Sequence, residues 1–361
     1  MDTKKQIIKI GSAGIIIGII SSILVLLGNP KNMGFCIACF IRDTVGALGL
    51  HRAEAVQYIR PEIIGIILGS TIMAIGFKEF KPKGGSSSLT RFILGFCVMI
   101  GCLMFLGCPF RMIIRIAGGD MNAIVGLVGF AVGILCGVFF LNRGYSLGRT
   151  YKQNTAEGAA LSVWQVILLI LLVAAPTFIF FTAADGGPGA MHAPIIISLI
   201  AGLIIGALAQ RTRMCMIGGI RDVIMFKDFK LILGFSAILI SCLLCNLILG
   251  VLTGNSYFNL GFADQPVAHN DWLWNMLGMY VVGFGCVLLG GCPLRQLVLS
   301  GEGNSDSAIT VLGLACGAAF AHNFGLASSA KGPTATGKIG VIIAVIIIAS
   351  IAFINTFKKK S

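Results

Sequence analysis

The chain is built of long apolar runs separated by short polar breaks. Ten runs, at about 7–28, 61–78, 91–107, 122–141, 161–183, 192–210, 230–252, 272–290, 306–324 and 338–357, come close to the ~20 residues a helix needs to cross a bilayer. The breaks are rich in Gly, Pro, Asn and Ser, the residues of turns. The pattern predicts an all-α integral membrane fold of about ten transmembrane helices. Met1-Asp2-Thr3-Lys4-Lys5 ahead of the first run imitates a signal peptide. No small-residue cleavage site follows, and Leu26-Leu27-Gly28-Asn29-Pro30 reads as a helix end, so the first run is predicted to stay as a span.

Two marks occur twice. Gly107-Cys108-Pro109-Phe110-Arg111 closes the third run and Gly291-Cys292-Pro293-Leu294-Arg295 closes the eighth. Upstream, Cys36 stands six residues ahead of the arginine in Ile41-Arg42-Asp43, and Cys215 stands six ahead of the arginine in Ile220-Arg221-Asp222. The same marks in the same order at nearly the same spacing predict two homologous halves. Residues 1–145 form membrane repeat one, 146–190 a linker plus an unpaired transmembrane helix, and 191–361 membrane repeat two plus a C-terminal helix. Five spans separate the starts of the copies. An odd number inverts the second, the arrangement of many transporters whose substrate site lies where the copies meet.

Between the spans, residues 29–60 are too long for a tight turn and mix Cys36, Cys39, Arg42 and Asp43 with apolar residues, which suits a short helix dipping into the membrane. Residues 81–88 read as a flexible turn. After each Gly-Cys-Pro a short apolar stretch begins at proline, a favoured first-turn residue, and stops at glycine. These are predicted re-entrant half-helices, and the free N–H groups at their starts attract anions.

Composition agrees, with 57% hydrophobic and 11% charged residues against the roughly 25% charge of a soluble domain. The net charge of +13 would suggest nucleic acid in a soluble protein. Here it follows membrane topology instead: most lysines and arginines, including Lys4, Lys5, Lys9, Lys81, Lys83, Arg211, Arg213 and the Lys358-Lys359-Lys360 tail, fall on one side. That predicts a multi-pass protein of the cell membrane with both termini cytoplasmic and no nucleic-acid partner. Cys36 and Cys108 would then line the outer half of a path, and Cys215 and Cys292 the inner half.

Of the twelve cysteines, seven lie inside spans, where cysteine behaves as a small hydrophobe. Cys36, Cys39, Cys108, Cys215 and Cys292 sit at helix breaks beside arginines, where a thiol is exposed to a path. Thiols are weak, soft donors, matched to sulfur or selenium and poorly matched to sodium or sugar hydroxyls. His51, His192, His269 and His322 are scattered without ligand spacing, so no metal or cofactor is expected. Arg42 with Asp43 and Arg221 with Asp222 are either functional charges in the membrane or braces of the half-helices. Arg111 and Arg295 either draw in anions or snorkel.

The paired Gly-Cys-Pro breaks, preceded by Phe35-Cys36 and Met214-Cys215, resemble the YeeE/YedE family of bacterial membrane proteins. The run from Gly28 to Asp43, with Cys36-Ile37-Ala38-Cys39, is similar to a branch linked to selenium transport. The resemblance implies an hourglass of two inverted halves and uptake of thiosulfate, passed between thiols by S–H···S contacts. By motif the path cysteines it implies are Cys36, Cys108 and Cys292. Cys215 joins them by duplication, and Cys39 departs from the sulfur members. The expected function is therefore a transporter of a small sulfur or selenium species that runs without ATP, since no Walker motif is present. Two alternatives stay open. One is a membrane-bound relay that forms cysteine persulfide or selenosulfide adducts and delivers to a cytoplasmic sulfur or selenium carrier protein. The other is a general anion channel that tolerates serine.

Overall fold

A computed structural model of the chain describes residues 3–357; the lysine tail lies outside them. The chain runs α1 (Thr3–Leu26), α2 (Ile37–Ala47), α3 (Pro61–Gly76), α4 (Ser88–Phe105), α5 (Pro109–Ala117), α6 (Met121–Asn142), α7 (Thr155–Ala174), α8 (Ile195–Thr212), α9 (Met216–Phe226), α10 (Lys230–Thr253), α11 (Trp272–Leu289), α12 (Pro293–Gly301), α13 (Ser305–Asn323) and α14 (Ala335–Phe357). Nine helical segments among the described residues are long and apolar enough to cross a membrane, so the protein is an all-α, multi-pass membrane protein. The run expected at 306–324 is formed as α13, a helix of 19 residues whose ends carry Asp306, His322 and Asn323.

Apolar side chains have no reason to leave lipid, so the layering follows packing and polarity rather than a simple oil drop. The most apolar stretch of α4–α5 is 83% buried, as is that of α11–α12, against 28% for α14. The inner helices α4 and α11 therefore form the core with the short helices, and α7 and α14 turn apolar side chains outward to lipid. Around the core, α1 packs on α10, α3 on α8, α4 on α13 and α6 on α11. The α4–α11 crossing depends on glycine. A Cβ on Gly101 would lie 2.6 Å from the Gly278 carbonyl oxygen, and one on Gly278 would lie 2.9 Å from that of Gly101, so no larger residue fits without separating the helices.

Two sequence expectations are corrected. The fifth span is Thr155–Ala174, not 161–183, because Ala175 takes a left-handed conformation (φ 41°) and Pro176 follows it, ending the helix. The 81–88 turn is pinned rather than flexible. Strand β1 (Lys83–Gly84) pairs antiparallel with β2 (Tyr151–Lys152). Asp306 accepts from the Gly85 N–H (2.9 Å) and the Ser86 hydroxyl (2.7 Å), giving this loop's polar groups partners that its sequence does not reveal.

Candidate functional site

Each Gly-Cys-Pro break is the same piece of local chemistry. Helix α4 ends on Leu106 in the left-handed region (φ 59°), and the Gly107 N–H donates to the Cys102 carbonyl at 2.8 Å. Helix α11 ends on Gly290 (φ 76°), and the Gly291 N–H donates to the Cys286 carbonyl at 3.0 Å. Such a turn satisfies the orphan carbonyls of a helix end. The next residue, Cys108 or Cys292, is the N-cap of a nine-residue helix with proline in its first turn. The glycine before each cysteine makes room for the arginine after it. A Cβ on Gly107 would press on Arg111 Cδ at 3.0 Å, and one on Gly291 on Arg295 Cγ at 3.0 Å.

A second helix start meets each of these. Cys36 is the N-cap of α2, and its sulfur accepts the Cys39 N–H at 3.4 Å. The Cys36 thiol is within hydrogen-bonding reach of the Cys39 and Cys108 thiols, and the Cys108 sulfur faces the backbone N–H groups of Ala38 and Arg111. Cys215 is the N-cap of α9. It reaches the Cys292 thiol, and its sulfur faces the N–H groups of Gly218 and Cys292. Two thiol pairs result, each where two helix N-termini converge and their positive ends add.

The charges around the pairs differ. At the first, Asp43 pairs with Arg42 (2.6 Å) and Arg60 (2.8 Å), all fully or nearly buried, and Arg115 pairs with Asp120 (2.6 Å). Arg60 also lies over the Phe40 ring at 4.6 Å. Arg111, 0% exposed, has no carboxylate within ion-pair distance among the described residues. It donates instead to the carbonyls of Asn32 (2.9 Å), Leu106 and Val267 (3.1 Å), and lies 3.6 Å from the Cys39 sulfur. The Val267 carbonyl belongs to the loop 254–271 between α10 and α11. Asn259 N–H to Gly118 carbonyl (2.8 Å) and Gly261 N–H to Gly119 carbonyl (3.1 Å) hold that loop against the end of α5.

At the second pair Arg295 bonds Glu302 (3.0 Å) and Arg221 bonds Asp222 (2.8 Å). Here a cavity of about 490 Å³ reaches the surface; Cys215, Gly218, Gly290, Asp222, Asp228 and Glu79 line it together with Lys9, Arg211, Arg213, Arg221, Lys230 and Arg295. Hydrogen bonding from the Gln210 amide (2.6 Å), and then the charge of Arg211, hold the Glu79 carboxyl below the usual carboxylate range. It therefore stays ionised at neutral pH, and six cations still outnumber three carboxylates.

The structure thus brings Cys36, Cys39, Cys108 and Arg111 together, and separately Cys215, Cys292, Arg221 and Arg295. Arg42 and Arg221 each pair with the adjacent aspartate, not across the halves. Arg111 does not snorkel. Sequence reading missed Arg60, Arg115 and the 254–271 loop. No motif marks a residue that acts through its backbone carbonyl. It also missed that Lys9 and Arg211 line a cavity, although their crowding on one side of the chain was the available signal.

Comparison with known proteins supplies the remaining observation. Residues 211–357 match the family described as sulphur transport. Over 121 residues the chain is 32% identical to the thiosulfate transporter TsuA of Escherichia coli strain K12, covering 34% of this chain and 32% of that one. Over 123 residues it is 31% identical to the thiosulfate transporter TsuA of Spirochaeta thermophila, covering 33% of this chain and 34% of that one. Each match spans about a third of the relative's length. Both cysteines of the second pair and the Gly-Cys-Pro break between α11 and α12 lie within the stretch that matches the sulphur-transport family.

Proposed function

We propose that this protein is an importer of a small sulfur-containing anion of the thiosulfate class. It would sit in the cell membrane with both termini cytoplasmic. Selenium oxyanions or reduced selenium species are the second cargo that its thiols suit, and the extra thiol of Cys39 supports them. One observation carries the reading: two separate thiol pairs, each where two helix N-termini converge. A helix start contributes roughly 0.3 to 2 kcal/mol toward an anion. Thiol donors add soft contacts that favour a terminal sulfur over an all-oxygen anion. Arg111, buried without a carboxylate, supplies a full positive charge beside the first pair. The curated relatives named above are thiosulfate transporters.

The proposal includes two inverted halves. Reciprocal packing supports them: α1 on α10 answers α8 on α3, α6 on α11 answers α13 on α4, and α5 on α10 answers α12 on α3. In that arrangement the first thiol pair belongs to the outer half of the path and the second to the cytoplasmic half. The substrate passes without a covalent bond to cysteine.

The test is uptake of labelled thiosulfate and labelled selenite by cells lacking their own importers, with wild type, Cys108→Ser and Cys292→Ser. One substrate taken up by wild type and lost in both variants supports the reading and names the cargo. Uptake that survives both variants makes the protein a generic anion pore. Absence of uptake, with a mass increase on a cysteine after exposure to substrate, makes it a relay enzyme.

A further inference from the structure

Between the two thiol pairs lie two more cysteines at matching places. The repeated unit is longer than Gly-Cys-Pro: Gly101-Cys102 and Gly285-Cys286 each stand six residues ahead of Gly107-Cys108 and Gly291-Cys292. The Cys102 and Cys286 carbonyls are the acceptors that close the two helix ends.

The two helices bring these cysteines to the centre. Val98 of α4 opposes Gly285 of α11, and Gly101 opposes Gly278 and Val281, so contacts rise along one helix as they fall along the other and the helices cross antiparallel with their backbones touching. Cys102 and Cys286 are both 0% exposed. Cys102 stands within electrostatic reach of Cys36, Cys39 and Cys286, and Cys286 within reach of Cys215 and Cys292. Among the described residues neither sulfur has a hydrogen-bond partner, although the thiols at both ends of the file do. Cys97, equally buried on the same helix α4, has none of these thiol neighbours.

We infer that Cys102 and Cys286 are the two middle binding steps of the path, a buried pair of unpartnered thiols that links the Cys36–Cys108 pair to the Cys215–Cys292 pair and favours an anion ending in soft sulfur or selenium. This rests on the transport reading above. The physical need is specific. Arg111 and Arg295 mark the two ends of the file, while the crossing between them is apolar. An anion there would meet its highest barrier, because an unpaired charge in a low-dielectric interior is costly. Carbonyls would repel it, and a fixed cation would trap it. Weak S–H donors lower the barrier without creating a deep well, and polarisable sulfur opposite sulfur adds dispersion.

The test uses the full chain in cells lacking thiosulfate importers, comparing wild type with Cys102→Ala, Cys286→Ala, Cys97→Ala as the packing control and Cys108→Ala as the reference for transport. Expected are an uptake loss of at least about tenfold in Cys102→Ala and in Cys286→Ala, equivalent to one missing hydrogen bond to an anion, a smaller preference for thiosulfate over competing sulfate, and no change in Cys97→Ala. A second measurement needs no variant. Purified wild-type protein is alkylated with a small thiol reagent, with and without saturating thiosulfate, and the modified peptides are weighed. Protection of Cys102 and Cys286 but not Cys97 supports the proposal. If wild type transports and Cys108→Ala does not, while both alanine variants match wild type and neither cysteine is protected, the middle step is overturned and the transport reading stands. If wild type takes up no thiosulfate, both fall together.

Discussion

The two thiol pairs share a local grammar and differ in access. Each is a cysteine N-cap facing a Gly-Cys-Pro N-cap, with an arginine three residues into the second helix. At the first pair the cysteines are 0% and 1% exposed, and Arg111 ties the pair to the Asn32 and Val267 carbonyls. At the second, Arg295 is drawn to Glu302, and Cys215 lines a cationic cavity. The difference teaches that helix ends set the same thiol geometry in both places, whereas access differs at the first cysteine of each pair: Cys36 is fully enclosed and Cys215 opens on the cavity, while Cys108 and Cys292 are equally buried. One arginine latches a loop from the other half of the chain; its counterpart is occupied by the carboxylate of Glu302, the C-cap of its own short helix.

The largest expected effect tests whether charge burial differs as access does. Asp43→Asn leaves Arg42 and Arg60 buried without a carboxylate, which should cost about 3 to 5 kcal/mol and appear as a large fall in melting temperature of the purified protein, or as loss of the folded form. Asp222→Asn, whose ion pair is 28% and 21% exposed, should cost no more than about 1 kcal/mol. Equal losses from the two variants would mean that the two sites are not electrostatically distinct.

The next effect concerns access itself. An impermeant thiol reagent should modify Cys215 from the cavity, whereas Cys108 can react only after Arg111 lets go of its carbonyls. Each hydrogen bond from a charged donor is worth about 1.5 to 3 kcal/mol, so even one or two broken in the opening step should slow Cys108 by on the order of a hundredfold relative to Cys215. Arg111→Gln should narrow that gap. Equal rates in the wild-type protein would remove the seal from the comparison.

These contrasts also show what the sequence could and could not reveal. Span positions were legible because hydropathy is a property of a run, and the half-helices were legible because Cys-Pro after glycine stops one helix and starts another. The second fold-level signal, duplication, pointed to both cysteine pairs without any geometry. The partner of each charge was not legible. Arg60 reaches Asp43 across seventeen residues and the Pro188 and Met191 carbonyls much further along the chain, and such contacts depend on tertiary placement. The Arg111 latch was hidden for the same reason, since Val267 contributes only a carbonyl. The fifth span was misplaced because Phe178, Phe180 and Phe181 extend the apolar run beyond the point where Pro176 ends the helix.

The smallest expected effect isolates one residue of the difference. Leu106 and Gly290 occupy the same left-handed position at the ends of α4 and α11. Leu106 is 3% exposed and helps fill the closed side; Gly290 lines the cavity, and a Cβ there would meet nothing within 4 Å. Gly290→Leu should therefore cost only the backbone penalty of a left-handed residue with a side chain, about 1 to 2 kcal/mol, and its side chain should project into the cavity and slow labelling of Cys215. Leu106→Gly removes that penalty but also forfeits about 1.5 to 3 kcal/mol of burial, so it should be neutral to destabilising while speeding labelling of Cys108. Opposite movements of the two labelling rates would assign part of the asymmetry in access to this single pair of positions. If neither rate moves, the closure belongs to Arg111 and the 254–271 loop alone.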